Sequence, residues 1–224
     1  MSFDPVEVAR GTLLITATLF PIVNPLGGAP IFLSLTEGYS PAVQRLLARR
    51  IALNSFVLLM GSLFIGAHVL AFFGISLPAV QFGGGLVVAS AGWALLNQPD
   101  RKNQDRETVR DVDIMTHAFY PYTLPLTVGP GSISVAITLG ANLPKRFDSA
   151  TMFSLEALVA STLGAAAVCV LIWMSYASAE RMGRALGPTG TSVLLRLSSF
   201  ILFCIGVQIA WNGLTGLVKP LLPH

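Results

Sequence analysis

Six long apolar stretches, at about 9–35, 51–73, 77–97, 118–140, 151–177 and 194–217, constrain this chain more than any other feature. A helix needs roughly 20 apolar residues to cross a hydrocarbon core of about 30 Å. Each stretch supplies that length, and none shows the strict two-residue alternation of a transmembrane barrel strand. The composition agrees. Only 11% of the residues are charged and 53% are hydrophobic, whereas a soluble domain carries about 25% charged residues to cover its wetted surface. The expected fold class is all-α transmembrane, a six-helix bundle that uses residues 1–224 as a single membrane domain in the lipid bilayer, with no soluble domain. The first apolar run follows an acidic start, MSFDPVEVAR, and is long, so it reads as a retained helix rather than a cleaved leader.

The net charge of +3 does not point to nucleic acid, because the basic residues sit in short segments between apolar runs, where topology explains them. With the N-terminus outside, the cytoplasmic segments hold Arg45, Arg49, Arg50, Arg101, Lys102, Arg106, Arg110, Arg181, Arg184 and Arg196. The outside segments hold Arg10, Lys145, Arg146 and Lys219. Cytoplasmic segments attract Lys and Arg, so both termini are expected outside the cytoplasm, and the polar segment at about 98–117 is expected to be a cytoplasmic loop. The two cysteines, Cys169 and Cys204, lie in apolar runs and read as buried packing thiols, with no disulfide framework and no metal site.

Two segments repeat. FPIVNPLGGAP at 20–30 and YPYTLPLTVGPG at 120–131 share Pro21, Pro25 and Leu26 with Pro121, Pro125 and Leu126, and each continues into a Gly-then-Pro element. Each opens a set of three predicted helices. Three is odd, so the second set must enter from the opposite side. The halves, about 9–97 and 118–217, therefore form an inverted repeat, a common transporter architecture. Each proline removes a backbone donor and clashes with the preceding turn, so helices one and four are expected to be broken near their middles. In hydrocarbon such breaks persist only inside the bundle or beside a cavity. Two Pro-kinked helices that merely pack together are the plain alternative.

The chemistry expected at the breaks follows from helix ends. The half-helix after a break starts with unpaired N–H groups and a positive dipole end, which receive a carboxylate without a basic side chain. The amides of Gly27, Gly28 and Ala29, and of Gly131 and Ser132, are the candidate donors. Asn24, Thr123, Thr127 and Ser132 add neutral polar groups, while Pro25, Gly129 and Pro125 complete the two segments. Neither segment contains Asp, Glu, Lys or Arg, which favours a small neutral ligand over a charged one and offers nothing for metal or hydrolytic chemistry. No cofactor is expected. Two ionisable residues lie within predicted spans, His68 in helix two and Glu156 in helix five. They are candidates for a proton relay, though Glu156 reads equally well as a first-turn acid at a helix N-terminus. Gly83-Gly84-Gly85 and the Ala160/Gly164 pair suit close helix contacts, with a hinge as the other reading of the triplet. Asn54, Asn97, Gln208 and Asn212 are expected to cross-link helices, and Trp93, Trp173 and Trp211 to anchor the interfaces.

FPIVNPLGGAPIFLSLT, FFGISLPAVQFGGGLVVASAGWALL and YPYTLPLTVGPGSIS together resemble the MarC family of bacterial inner-membrane proteins, over nearly the whole chain. The resemblance implies six transmembrane helices in the inner membrane. It also implies kinship with LysE-type amino acid exporters, some linked to proton-coupled transport of small neutral amino acids such as glycine and alanine. Asn24, Pro25, Gly27, Pro30, Pro125, Gly129, Pro130 and Gly131 match its motifs. The chain departs at Ser198-Ser199-Phe200, where a glycine is expected in many relatives. The function expected is a secondary transporter of small neutral amino acids coupled to H+ or Na+, and not an enzyme. A channel and a non-transporting membrane factor are the alternatives.

Overall fold

The computed structural model describes residues 4–36, 38–97, 116–146 and 155–219, and these are helical nearly throughout. Helix α1 (Pro5–Val23) begins where the Asp4 side chain accepts the Val6 N–H at 2.9 Å and Pro5 fills the first helical position, a pairing that satisfies an orphan donor and pre-sets φ. After Asn24 comes α2 (Pro25–Leu35). Helix α3 (Pro41–Phe64) is capped by Ser40, whose hydroxyl accepts the Val43 N–H at 3.4 Å. The short α4 (Gly66–Phe72) and then α5 (Leu77–Leu96) follow. In the second half, a segment of wide turns (Phe119–Thr127) leads into α6 (Pro130–Arg146). Helices α7 (Leu155–Ala177) and α8 (Ala179–Val218) complete the chain.

Five of these helices, α1, α3, α5, α7 and α8, are long and apolar enough to cross a membrane. The count rises to six if Phe119–Thr127 and α6, bent by 65° at their junction, make one span. Several boundaries differ from expectation. Helix α3 starts ten residues before the stretch expected at 51, because Ser40-Pro41 is itself a helix start signal. It ends at Phe64, and α4 covers the remainder of that stretch. Helix α8 starts at Ala179 rather than near 194, with a break at Gly187 (φ +65°) just before Pro188. Arg45, Arg49, Arg50, Arg181, Arg184 and Arg196 thus stand on helices rather than in loops. The charged loop expected at about 98–117 lies outside the described residues as far as 115, and its last two residues belong to a short 3-10 turn, Thr116–Ala118.

The molecule wears its apolar residues outward as well as inward. Leu13 and Val57 are 69% exposed, Phe72 is 84% exposed, and Leu163, Val170 and Val207 also face out. A water-soluble monomer rarely shows so much contiguous apolar surface, and a bilayer is the solvent that suits it. The inner core is built from α1, α2, α3, the wide-turn segment and α7, through Ile15, Leu19, Phe32, Ile51, Leu59, Val128, Val168, Ile172 and Tyr176. Helix α7 packs against both α1 and α3, α3 packs against α6, and α5 packs along the length of α8.

The α5–α8 pair is held by backbone proximity. A Cβ at Gly85 would stand 2.7 Å from the Gly206 carbonyl oxygen, and one at Gly206 would stand 2.8 Å from the Gly85 carbonyl oxygen. Gly92 faces the Ser199 carbonyl at 2.9 Å in the same sense. Beside Ser198-Ser199-Phe200 the close approach is therefore carried by Gly92 on α5, with Ser199 supplying backbone. Within the triplet, Gly83 has open space, Gly84 faces Ser134 and Gly85 faces α8. All three lie inside a continuous helix, and only Gly84 and Gly85 pack.

Of the polar residues expected to cross-link helices, Asn54 does so, donating from Nδ2 to Thr123 Oγ1 at 3.3 Å. Asn97 bonds back to Trp93 of its own helix, and Gln208 bonds Asn212 one turn along α8. These side chains lie on outward faces and can reach only their own helix. Cys169 is buried as expected, but Cys204 is exposed on the outer side of α8.

Candidate functional site

Asn24 organises the first Pro/Gly segment. Its backbone is left-handed, φ 48° and ψ 56°, a conformation that Asn tolerates better than most residues. Its N–H closes α1 by donating to the Phe20 carbonyl at 2.9 Å. It also caps α2, because its Oδ1 accepts the Gly27 N–H at 3.2 Å and its carbonyl accepts the Gly28 N–H at 2.9 Å. The amides of Gly27 and Gly28 are thus already engaged by the protein itself. Ala29 is buried past the first turn, where helix amides bond internally.

The second segment is built differently. Between Phe119 and Thr127 the backbone is extended at Tyr120 and Leu124, and both Tyr120–Pro121 and Leu124–Pro125 are cis. Wide five-residue turns take the place of helix. Thr123 Oγ1 donates to the Ala118 carbonyl at 2.6 Å, Thr127 Oγ1 to the Tyr122 carbonyl at 2.8 Å, and the Val128 N–H to the Thr123 carbonyl at 2.8 Å. Helix α6 then starts at Pro130, and the Gly129 carbonyl accepts both the Ile133 N–H at 3.1 Å and the Ser132 hydroxyl at 2.9 Å. Among the described residues the Gly131 and Ser132 N–H groups have no acceptor, whereas those of Gly27 and Gly28 in α2 have theirs.

The two segments meet in a cavity of about 280 Å³. Asn24, Gly27 and Gly28 form part of its wall, and Pro125, Thr127, Gly129, Gly131 and Ser132 form another part. Among the described residues no ionisable one lines it. Of the candidates, Pro25, Thr123 and Ala29 lie behind the wall, all outside the lining. Helix α5 closes another side with Val87, Val88 and Ala91, and α8 contributes Leu202. No sequence feature pointed to these apolar wall residues.

Behind the cavity lies a buried aromatic cluster that sequence reasoning also missed. Tyr176 of α7 is 2% exposed and its hydroxyl is 3.0 Å from Thr127 Oγ1. The Thr127 hydroxyl already donates to Tyr122, so Tyr176 is the donor in this pair. Its ring stacks on Phe32 of α2 with centroids 4.8 Å apart, and Phe32 meets Tyr122 edge-on at 6.5 Å. A lone tyrosine in a helix of small and aliphatic residues was the available signal, since a buried phenol must find a partner. His68 and Glu156 are elsewhere. His68 is exposed on α4, while Glu156 Oε1 accepts the Asp4 N–H at 3.0 Å, and no hydrogen bond joins the two.

The MarC family of integral membrane proteins matches residues 11–218. The chain belongs to the MarC family. The inner membrane protein MarC of Escherichia coli O1:K1 is 31% identical over 208 residues, covering 90% of this chain and 92% of that protein. MarC proteins of Escherichia coli K12 and Shigella flexneri are 30% identical over the same shares. No solved structure matches the chain. The match to the MarC family runs through both Pro/Gly segments and all the helices that wall the cavity.

Proposed function

We propose that this MarC-family chain is a secondary transporter of small neutral amino acids, with its substrate site in the cavity between the two Pro/Gly segments. It sits in the inner membrane, like the relatives named for that membrane. The observation that carries the reading is the cavity itself. It is about 280 Å³ in volume, is lined by both segments, offers the free Gly131 and Ser132 amides, and among the described residues has no ionisable lining residue. The volume lies at the lower end of the pockets of about 300–1,000 Å³ that drug-sized ligands occupy, so it has room for a ligand the size of glycine or alanine. The amides at the start of α6 receive its carboxylate. The Asn24 carboxamide and nearby carbonyls face its ammonium group. A neutral side chain fits a wall that has no counter-charge to offer.

The proposal includes an inverted repeat, in which α1–α2, α3 and α5 of the first half correspond to the wide-turn segment with α6, α7 and α8 of the second. The pattern of packing supports it. Equivalent helices pack on each other, α3 on α7 and α5 on α8, and α1 packs on α6. Cross-half contacts come in matching pairs, with α1 on α7 mirrored by α6 on α3, and α5 on α6 mirrored by α8 on α2. A two-fold axis in the membrane plane produces these pairs, and transporters of this design rock one part against another around a central site.

Counterflow of labelled glycine and alanine into proteoliposomes tests the reading. Saturable exchange that is lost in Gly129→Leu supports it. Flux without saturation means a channel, and no exchange by folded protein removes the proposal. Proton coupling is tested apart from binding, because His68 and Glu156 do not line the cavity. His68→Gln and Glu156→Gln are expected to keep exchange, and at least one to lose its drive by a pH gradient. If both retain that drive, neither residue carries the proton.

A further inference from the structure

We propose that Tyr176 is a positioning residue that sets the spacing of two cavity walls from behind, a role that rests on reading the cavity as the substrate site. Tyr176 does not line the cavity, yet its hydroxyl touches two residues that do. On one side it donates to Thr127 Oγ1 at 3.0 Å. On the other it lies against Gly28, where a Cβ would come 2.6 Å from the phenol oxygen and 3.3 Å from two ring carbons. Real Cβ atoms essentially never approach to 2.6 Å, so Gly28 lacks a side chain at the place the hydroxyl occupies. The ring is fixed by its stack on Phe32, also on α2. A single oxygen atom, buried and held by a rigid ring, thus spaces the α2 wall from the Thr127 wall.

This geometry predicts opposite effects of two small changes. Tyr176→Phe removes the oxygen while leaving the stack, so the tie to Thr127 is lost and the space facing Gly28 opens. Gly28→Ala pushes a methyl group against the oxygen and forces α2 away. Combined, the methyl group takes the place the oxygen left, and the spacing is restored although the hydrogen bond is not. Directional groups must be held to within about 0.5 Å of the productive geometry, so a displaced cavity wall loses affinity.

The test compares Tyr176→Phe, Gly28→Ala and the double variant for half-saturation and maximal rate of counterflow. Tyr176→Phe is expected to raise half-saturation by about 2- to 10-fold, the worth of one hydrogen bond, with maximal rate little changed, and the double variant to exchange better than Gly28→Ala alone. Unchanged half-saturation in Tyr176→Phe, or no rescue by the double variant, overturns the proposal. Should Gly28→Ala fail to fold, Thr127→Val serves instead, and the penalty of Tyr176→Phe should vanish in that background. A persisting penalty counts against the tie. Labelling of Val88→Cys by a small water-soluble thiol reagent, with Cys169→Ala and Cys204→Ser, needs no substrate. If the wild type exchanges no amino acid, the transport reading falls alone. Positioning then stands if Tyr176→Phe alters the labelling rate and the double variant restores it, and falls if the rate never changes.

Discussion

Asn24 does two jobs with one residue, and the two can be separated by substitution. Its left-handed backbone favours Asn or Gly, and its side chain caps α2 through Gly27. Asp keeps the cap and adds a favourable charge at a helix N-terminus. Gly keeps the backbone and loses only the cap, worth a few tenths of a kcal/mol. Ala loses the cap, at about 1 kcal/mol, and adds left-handed strain of about 1–2 kcal/mol. Thermal unfolding in detergent should therefore rank Asn24→Asp near wild type, Asn24→Gly slightly below and Asn24→Ala lowest. If Ala proved as stable as Gly, the left-handed capping role would be wrong. In exchange assays Asn24→Asp is expected to tighten zwitterion binding, because it places a carboxylate against the substrate's ammonium group. Half-saturation read beside the melting temperature separates the two effects.

At the scale of elements, the α5–α8 seam decides which glycines matter. Gly85 and Gly206 face each other's carbonyl oxygens, and backbone atoms cannot swing aside as side chains can. Gly85→Ala or Gly206→Ala is expected to destabilise by about 1–3 kcal/mol, as overpacking usually does. Gly83, two residues away with nothing within 4 Å, should gain up to about 1 kcal/mol of helix propensity as Ala. Unfolding of the three variants checks this, and equal losses at Gly83 and Gly85 would refute the seam. Three identical letters in a row thus have three different environments. The triplet was visible in the sequence as a packing signal, but which member packs depends on the rotation of α5 toward α8, and no local pattern encodes that.

At the scale of the whole molecule, the proposed inverted repeat and the charge bias make one joint prediction about topology. With the N-terminus outside, Gly38 and Ser178 lie on the cytoplasmic side and Gly74 on the opposite side. Single cysteines at these positions, in a chain with Cys169→Ala and Cys204→Ser, should react with an impermeant reagent from those sides only. A reversed pattern would invert the orientation while leaving the fold intact. A pattern with Gly38 and Gly74 on the same side would break the repeat, since α3 and α4 would then not cross.

The sequence alone determined that the chain lives in a membrane as a helical bundle, and that residues 20–30 and 120–131 are its unusual places. Those properties are local. Hydropathy sums over neighbours, and a proline or glycine acts on its own turn of backbone. The same local logic found Asn24, Gly27, Gly28, Pro125, Thr127, Gly129, Gly131 and Ser132, all of which meet in the cavity. It also expected free amides in both segments, because a break normally exposes them. That Asn24 folds back over its own amides depends on a left-handed backbone that the sequence permits but does not announce. Tertiary structure decided the rest. The Thr127–Tyr176 pair joins residues 49 positions apart, and Val88 and Leu202 reach the cavity only because α5 and α8 pack beside it. Such contacts depend on how rigid helices stack in three dimensions, which residue spacing along one chain does not specify.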